Sequence, residues 1–166
     1  MSSGSDLRVV LMGVAGCGKS SVGAALAPAL GAVYLDGDDL HPAANIAKMR
    51  AGLPLTDADR APWLADVGRL LAPPGRRIVG CSALKRAYRD LIRDRAGAPV
   101  TFVHLAGRRE VIAARMAART GHFMPTALLD SQFATLEPPG ADEGAVTVDI
   151  ALPLADLVAA IVTRLG

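Results

Sequence analysis

The eight residues Gly13-Val14-Ala15-Gly16-Cys17-Gly18-Lys19-Ser20 constrain this chain more than any other stretch. They follow the apolar run Val9-Val10-Leu11-Met12 and precede Ser21-Val22-Gly23-Ala24-Ala25-Leu26-Ala27, which has helical composition. Strand, glycine loop and helix therefore come in that order, with the spacing G-x-x-x-x-G-K-S. Glycines let a backbone turn tightly and bring its N–H groups against phosphate oxygens. The helix that follows aims its unpaired N–H groups and dipole at the same anion. Lys19 adds a mobile charge for the outer phosphates, and the Ser20 hydroxyl is a hard oxygen ligand for Mg²⁺. The loop, with Ser21 just beyond it, is read as the seat of a nucleoside triphosphate.

The rest of the chain alternates between strand and helix signals. Apolar runs predict strands over 8–12, 32–36, 77–82, 100–105 and 145–150. Helical patterns fill 19–30, 41–51, 56–71, 83–95, 109–119, a segment reaching 136, and 154–165. Pro28 is expected to kink or shorten the first of these, and Gly31 to end it. Thr56 and Asp59 have capping-box spacing. Such alternation predicts right-handed crossovers and an α/β fold, a parallel sheet with helices on both faces. There is no internal repeat and no linker, so a polar, disordered tail over 1–6 should lead into one domain over 7–166. Ligands on such a sheet lie beyond the carboxyl ends of its strands. Gly13, Asp36, Ser82 and the Gly107-Arg108 turn mark that edge.

Composition narrows the partners. Apolar residues make up 51% of the chain and aromatics 4%, so the core must be built from Ala, Val, Leu and Ile. Eighteen basic against sixteen acidic residues leave a formal charge of +2, without a block of either sign. That pattern argues against a general nucleic-acid or membrane surface. Cys17 and Cys81 make no disulfide framework and read as small apolar residues in a reducing compartment. With no leader and no apolar run long enough to span a bilayer, a cytoplasmic protein is expected.

Several polar groups have the makings of a phosphoryl-transfer site. That reaction needs a carboxylate to orient an acceptor hydroxyl and take its proton. Asp36 is assigned that part, with Asp38 as an acceptor or metal-water contact, and the two roles can be exchanged. The competing reading is a polar turn whose carboxylates cap the next helix. Arg115 and Arg119, four apart on one helix face, lead into a Gly121 break and suit a lid over the triphosphate. His41, Lys48, Arg60, Lys85 and Arg89 supply more positive charge than a neutral alcohol requires, which points to an anionic acceptor. His122 is either a lid contact or an ordinary loop residue. His104 is expected to be structural, and Trp63, Leu64, Val67, Leu70 and Leu71 to form a core-facing stripe. No Cys/His set has zinc spacing.

These residues carry a resemblance. LMGVAGCGKSSV (11–22), LDGDDLHPAANIAKMRAGLPLTDADRAPWL (35–64), CSALKRAYRDLIR (81–93) and RTGHFMPTALLDSQFATLEPPGADE (119–143) together resemble the small P-loop gluconate kinases, relatives of shikimate and adenylate kinases. The phosphate loop is widely shared; the other three stretches are much narrower. The resemblance implies ATP- and Mg²⁺-dependent phosphorylation of D-gluconate to 6-phosphogluconate. It implies a five-stranded parallel sheet of order 2-3-1-4-5, a lid at about 116–135, and a homodimer. Under it, Gly13, Gly18, Lys19 and Ser20 match the phosphate loop, and Asp36 and Asp38 the acidic motif. Arg115 and Arg119 match the lid-associated arginines. Arg60 and Arg89 are the candidates for the gluconate carboxylate, with His41, Lys48, Lys85 and His122 on the acceptor side. By analogy, the loop 137–143 is expected to face adenine. Another small-molecule kinase, such as a shikimate kinase, is the nearest alternative. A nucleotide-binding switch is the alternative of a different class, although no N/T-K-x-D guanine motif is present.

Overall fold

The computed structural model describes residues 5–118 and 126–165. Five strands form one parallel sheet: β1 (Leu7–Met12), β2 (Val33–Asp36), β3 (Arg76–Gly80), β4 (Thr101–Ala106) and β5 (Val146–Asp149). Their order is β2-β3-β1-β4-β5, as the resemblance implies. The central strand reads as an unbroken apolar run because both of its faces are covered; Val9 to Met12 have no solvent exposure. Among the described residues there are seven α-helices: α1 (Lys19–Leu30), α2 (Ala43–Arg50), α3 (Asp57–Leu71), α4 (Arg86–Ala96), α5 (Arg109–Ala118), α6 (Thr126–Thr135) and α7 (Leu154–Leu165). They lie on both faces of the sheet, α1 packing with α7 and α3 with α4.

Register brings the chemistry to one edge. Leu11 of β1 and Asp36 of β2 both pair with Gly80 of β3, so three strands end level with one another. Beyond Gly80 the chain stays irregular as far as Lys85, and α4 begins at Arg86 rather than at 83 as the sequence predicts. Two contacts impose this. The Cys81 N–H donates to the Leu11 carbonyl and the Gly13 N–H to the Ser82 carbonyl, holding the segment against β1. Ala83 then turns with φ 44°, a left-handed conformation that no helix can absorb.

Two local expectations resolve simply. Pro28 neither ends nor shortens α1, which runs to Leu30. The carbonyl that Pro28 leaves without an amide partner is that of Ala24, on the helix's exposed side where water can reach it. Thr56 and Asp59 form the reciprocal capping box, with Asp59 N–H to Thr56 Oγ1 at 3.1 Å and Thr56 N–H to Asp59 Oδ2 at 2.9 Å. At the other end of the chain, Ser5 and Asp6 are tied to the start of β3: Gly75 N–H donates to Asp6 Oδ1 and Arg76 Nη1 to the Ser5 carbonyl.

Candidate active site at the carboxyl edge of the sheet

The phosphate loop joins β1 to α1. Gly18 opens the helix with φ 99°, which a side chain would oppose, and no side chain caps the N–H groups behind it. Ser20 is exposed at this helix start. Lys19 is folded back over the loop, Nζ donating to the carbonyls of Gly13 at 3.1 Å and Val14 at 3.2 Å. The ammonium is thus held above the place where anionic oxygens would enter, on contacts that a phosphate can replace.

Among the described residues two cavities flank the loop. The smaller, about 110 Å³, is lined by Ala15, Lys19, Asp38, His41, Arg60, Trp63, Ser82 and Gln132, with Met49 and Leu53 to Leu55 on its apolar side. The larger, about 590 Å³, runs from Gly16, Gly18 and Ser21 past Arg115 to the segment 150–154. Only the second has the size usual for a nucleoside-sized ligand. The loop therefore stands between a roomy cleft and a tight one.

Asp36 and Asp38 separate here. Asp36 Oδ1 accepts from the Asp38 N–H at 2.9 Å and caps the 3₁₀ turn over Gly37–Leu40. Asp38, not Asp36, lines the small cavity. Solvent reaches Asp38, but the cleft around it strips hydration and raises its carboxyl pKa; Lys19 opposes the rise, while Asp36 and Asp39 add to it. The carboxylate best placed to meet an acceptor hydroxyl is therefore Asp38. Asp36 is drawn to the backbone N–H two residues on, as an aspartate before a turn commonly is.

The neighbouring wall is built by Trp63, buried at 1% exposure. Its Nε1 donates to the Gly37 carbonyl at 2.7 Å, and its ring stacks on His41 with centroids 3.9 Å apart. Trp63 is thus core, as expected, and cavity wall as well. Asn45 Nδ2 donates to His41 Nδ1 at 3.2 Å and to the Asp59 carbonyl at 2.9 Å. Burial first, and the Arg60 charge second, bring the His41 pKa down to about 4, so the ring is neutral near pH 7. With Nδ1 accepting, its proton sits on Nε2, which is then a donor.

The four cations of the acceptor-side set are not equivalent. Lys48 is matched by Asp59 at 2.6 Å and Lys85 by Asp57 at 3.4 Å. Arg89 is fully buried away from the cavity, paired with Glu143 and donating to the Ala83 carbonyl. Its assignment to an acceptor carboxylate gives way on that placement. Arg60 remains: it lines the cavity, and among the described residues no carboxylate lies within ion-pair distance of it. Tyr88 holds it, Oη accepting from Arg60 Nη1 at 2.8 Å and donating to Asp57 Oδ1 at 2.5 Å. Tyr88, Asn45 and Gln132 were not singled out from sequence, although all three lie inside the narrow motifs.

On the nucleotide side, Arg115 is exposed and donates from Nη2 to the Ile150 carbonyl at 2.6 Å, lining the larger cavity. Arg119 and His122 lie outside the described residues. The loop 137–143 does not line that cavity. Glu137 Oε1 accepts from the Arg86 N–H and Glu143 binds Arg89 and Arg93, which fastens the loop to α4. The segment 150–154 lines the larger cavity instead. Among the described residues no set of three His, Cys, Asp or Glu side chains could hold a metal.

Comparison with known proteins places this geometry. The family model described as an AAA domain matches residues 9–139. The thermosensitive gluconokinase of Escherichia coli (strain K12) is 50% identical over 147 residues, covering 85% of this chain and 78% of that one. The gluconokinase of Gluconobacter oxydans (strain 621H) is 49% identical over 144 residues, covering 84% and 80%. The crystal structure of a gluconokinase from Sinorhizobium meliloti 1021 superposes with a TM-score of 0.90 at 51% identity, over 96% of this chain and 91% of that one.

Proposed function

The chain belongs to the gluconokinase family, and from that premise we propose how its residues divide the work of phosphorylating gluconate. The reaction transfers the γ-phosphoryl of ATP to D-gluconate, giving 6-phospho-D-gluconate and ADP. One observation carries the acceptor assignment: of Lys48, Arg60, Lys85 and Arg89, Arg60 is the one that lines the small cavity, and among the described residues no carboxylate pairs with it. An acceptor bearing both a carboxylate and hydroxyls fits that cavity, with the carboxylate on Arg60 and the neutral His41 donating to a hydroxyl.

The acceptor oxygen attacks the γ-phosphorus as the bond to the β,γ-bridging oxygen breaks, and the hydroxyl proton passes to Asp38. A carboxyl whose pKa is raised is a better proton acceptor than an ordinary aspartate. Lys19 leaves the Gly13 and Val14 carbonyls to follow the charge on the transferred group. The Ser20 hydroxyl, with Asp38 acting through water, would hold Mg²⁺, which neutralises phosphate charge when bound. Arg115 and the 150–154 segment supply the walls for the nucleoside.

A cytoplasmic homodimer completes the proposal. Two buried free cysteines support a reducing compartment, and no helix among the described residues is long and apolar enough to cross a membrane. The test is ADP release with gluconate, shikimate, AMP or no acceptor, read alongside sedimentation of the purified protein. Release with gluconate alone is expected. Preference for shikimate or AMP would move the chain to another kinase specificity, and slow acceptor-independent hydrolysis would make it a switch.

A further inference from the structure

The stretch Ser131-Gln132-Phe133 in α6 carries a side chain that no step above uses. Gln132 Oε1 accepts a hydrogen bond from the Ala15 N–H of the phosphate loop at 2.7 Å, across 117 positions of sequence. Its helix is pinned from behind by Leu129, which is 2% exposed, and by Phe133 against the core. The Ala15 bond fixes which way the amide faces. A backbone N–H can only donate, so the carbonyl end of Gln132 meets the loop and the NH₂ end is left for the cavity that Gln132 shares with Ala15, Lys19 and Asp38. Among the described residues that NH₂ group has no hydrogen-bond partner.

We propose that Gln132 is a further catalytic residue, its Nε2 donating to an equatorial oxygen of the phosphoryl group in flight. The inference rests on the phosphoryl-transfer reading above. In a loose transition state, charge spreads over the three equatorial oxygens, and a donor already aimed at them is worth more there than in the ground state. Gln132 neither gives nor takes a proton: the acceptor O–P bond forms, the P–O bond to ADP breaks, and the proton still goes to Asp38. Being uncharged, it assists transfer without holding back the ADP that leaves.

Two variants separate this role from simple packing. Gln132→Glu keeps an oxygen for the Ala15 N–H but has no donor, and Gln132→Met is neutral, of similar length, and lacks the donor as well. Both are expected to lower kcat with gluconate by about 30-fold or more, while the Met variant binds ADP within about threefold of wild type. A Glu variant with kcat within about threefold of wild type would overturn the proposal, as would ADP affinity in the Met variant falling in step with kcat. Wild-type turnover is the control. Its absence would overturn the gluconate reading, whereas an active wild type with undiminished variants overturns the role of Gln132 alone.

Discussion

Arg89 and Glu143 form a closed two-pronged ion pair, Nε to Oε1 at 2.8 Å and Nη2 to Oε2 at 3.0 Å, with the side chains 0% and 1% exposed. Arg93 adds a third bond to Oε1, and the Ala83 carbonyl takes Arg89 Nη1. Both Glu143 carboxylate oxygens and all three Arg89 guanidinium nitrogens are therefore engaged, as a buried charge requires. The cluster clamps the loop after α6 to α4, behind the acceptor cavity.

Glu143→Gln should destabilise the protein by about 3–5 kcal/mol, because Arg89 is then left buried without a counter-charge. Urea unfolding at neutral pH measures it. The Arg89 bonds hold the Glu143 carboxyl at about 2, below its ordinary 4.5. A depressed acid stabilises fully above its unfolded pKa and loses that contribution as pH falls through the folded one. Wild-type stability should thus decline between those two values, and the variant's decline over the same window should be shallower.

Asp38→Asn should lower kcat by about 10² to 10⁴-fold and leave the fold intact, since the side chain meets the cavity rather than the core. Asp36→Asn keeps an oxygen for the Asp38 N–H and should cost less than about tenfold. The acid limb of kcat/KM, measured against pH, should lie above the ordinary aspartate range in wild type, following the raised Asp38 pKa. It should persist in Asp36→Asn. Equal losses in the two variants would return the base role to Asp36.

Arg60→Ala should raise the gluconate KM by about 10- to 100-fold, the worth of a charge-assisted pair, with the ATP KM little changed. Tyr88→Phe tests how Arg60 is held, because it removes the oxygen between Arg60 Nη1 and Asp57 while keeping the ring. A rise of about three- to tenfold in gluconate KM at unchanged kcat is expected. Equal effects on both substrates would mean the acceptor pocket lies elsewhere.

Gly80→Ala should cost about 1–3 kcal/mol, because a Cβ there would lie 2.2 Å from the Tyr34 hydroxyl oxygen. Among the described residues that oxygen is buried without a hydrogen-bond partner. Removing it as Tyr34→Phe should be neutral to within about 1 kcal/mol. In the Phe background the nearest remaining ring atom is Cζ at 3.2 Å, so the alanine should become cheaper. A double-mutant cycle by thermal melts measures the coupling; additive costs would sink the argument.

The parts legible in the sequence were those written locally. The phosphate loop, the unbroken apolar β1 and the Thr56 capping box each lie within a few neighbouring residues, and each stands as predicted. What escaped depends on partners far along the chain. Lys85 and Arg89, four apart, read alike as acceptor-side cations. Asp57 matches one and Glu143 the other, 28 and 54 positions away, and spacing carries no sign of either pairing. Gln132 was missed for the same reason, its partner being 117 positions off. The order of Asp36 and Asp38 turned on which carboxylate the backbone would claim. Arg60 was found because its residue type and motif sufficed; its importance became visible only once the other cations proved matched.

The stack of Trp63 on His41 also gives the protein an optical window of its own. The chain has a single tryptophan, so all of its indole emission originates at the wall of one cleft. A sugar acid settling against that pair must perturb the fluorescence, and protonating the imidazole must do so again as the solution is acidified toward pH 4. Occupancy can be titrated on the unlabelled molecule, before any catalysis is measured.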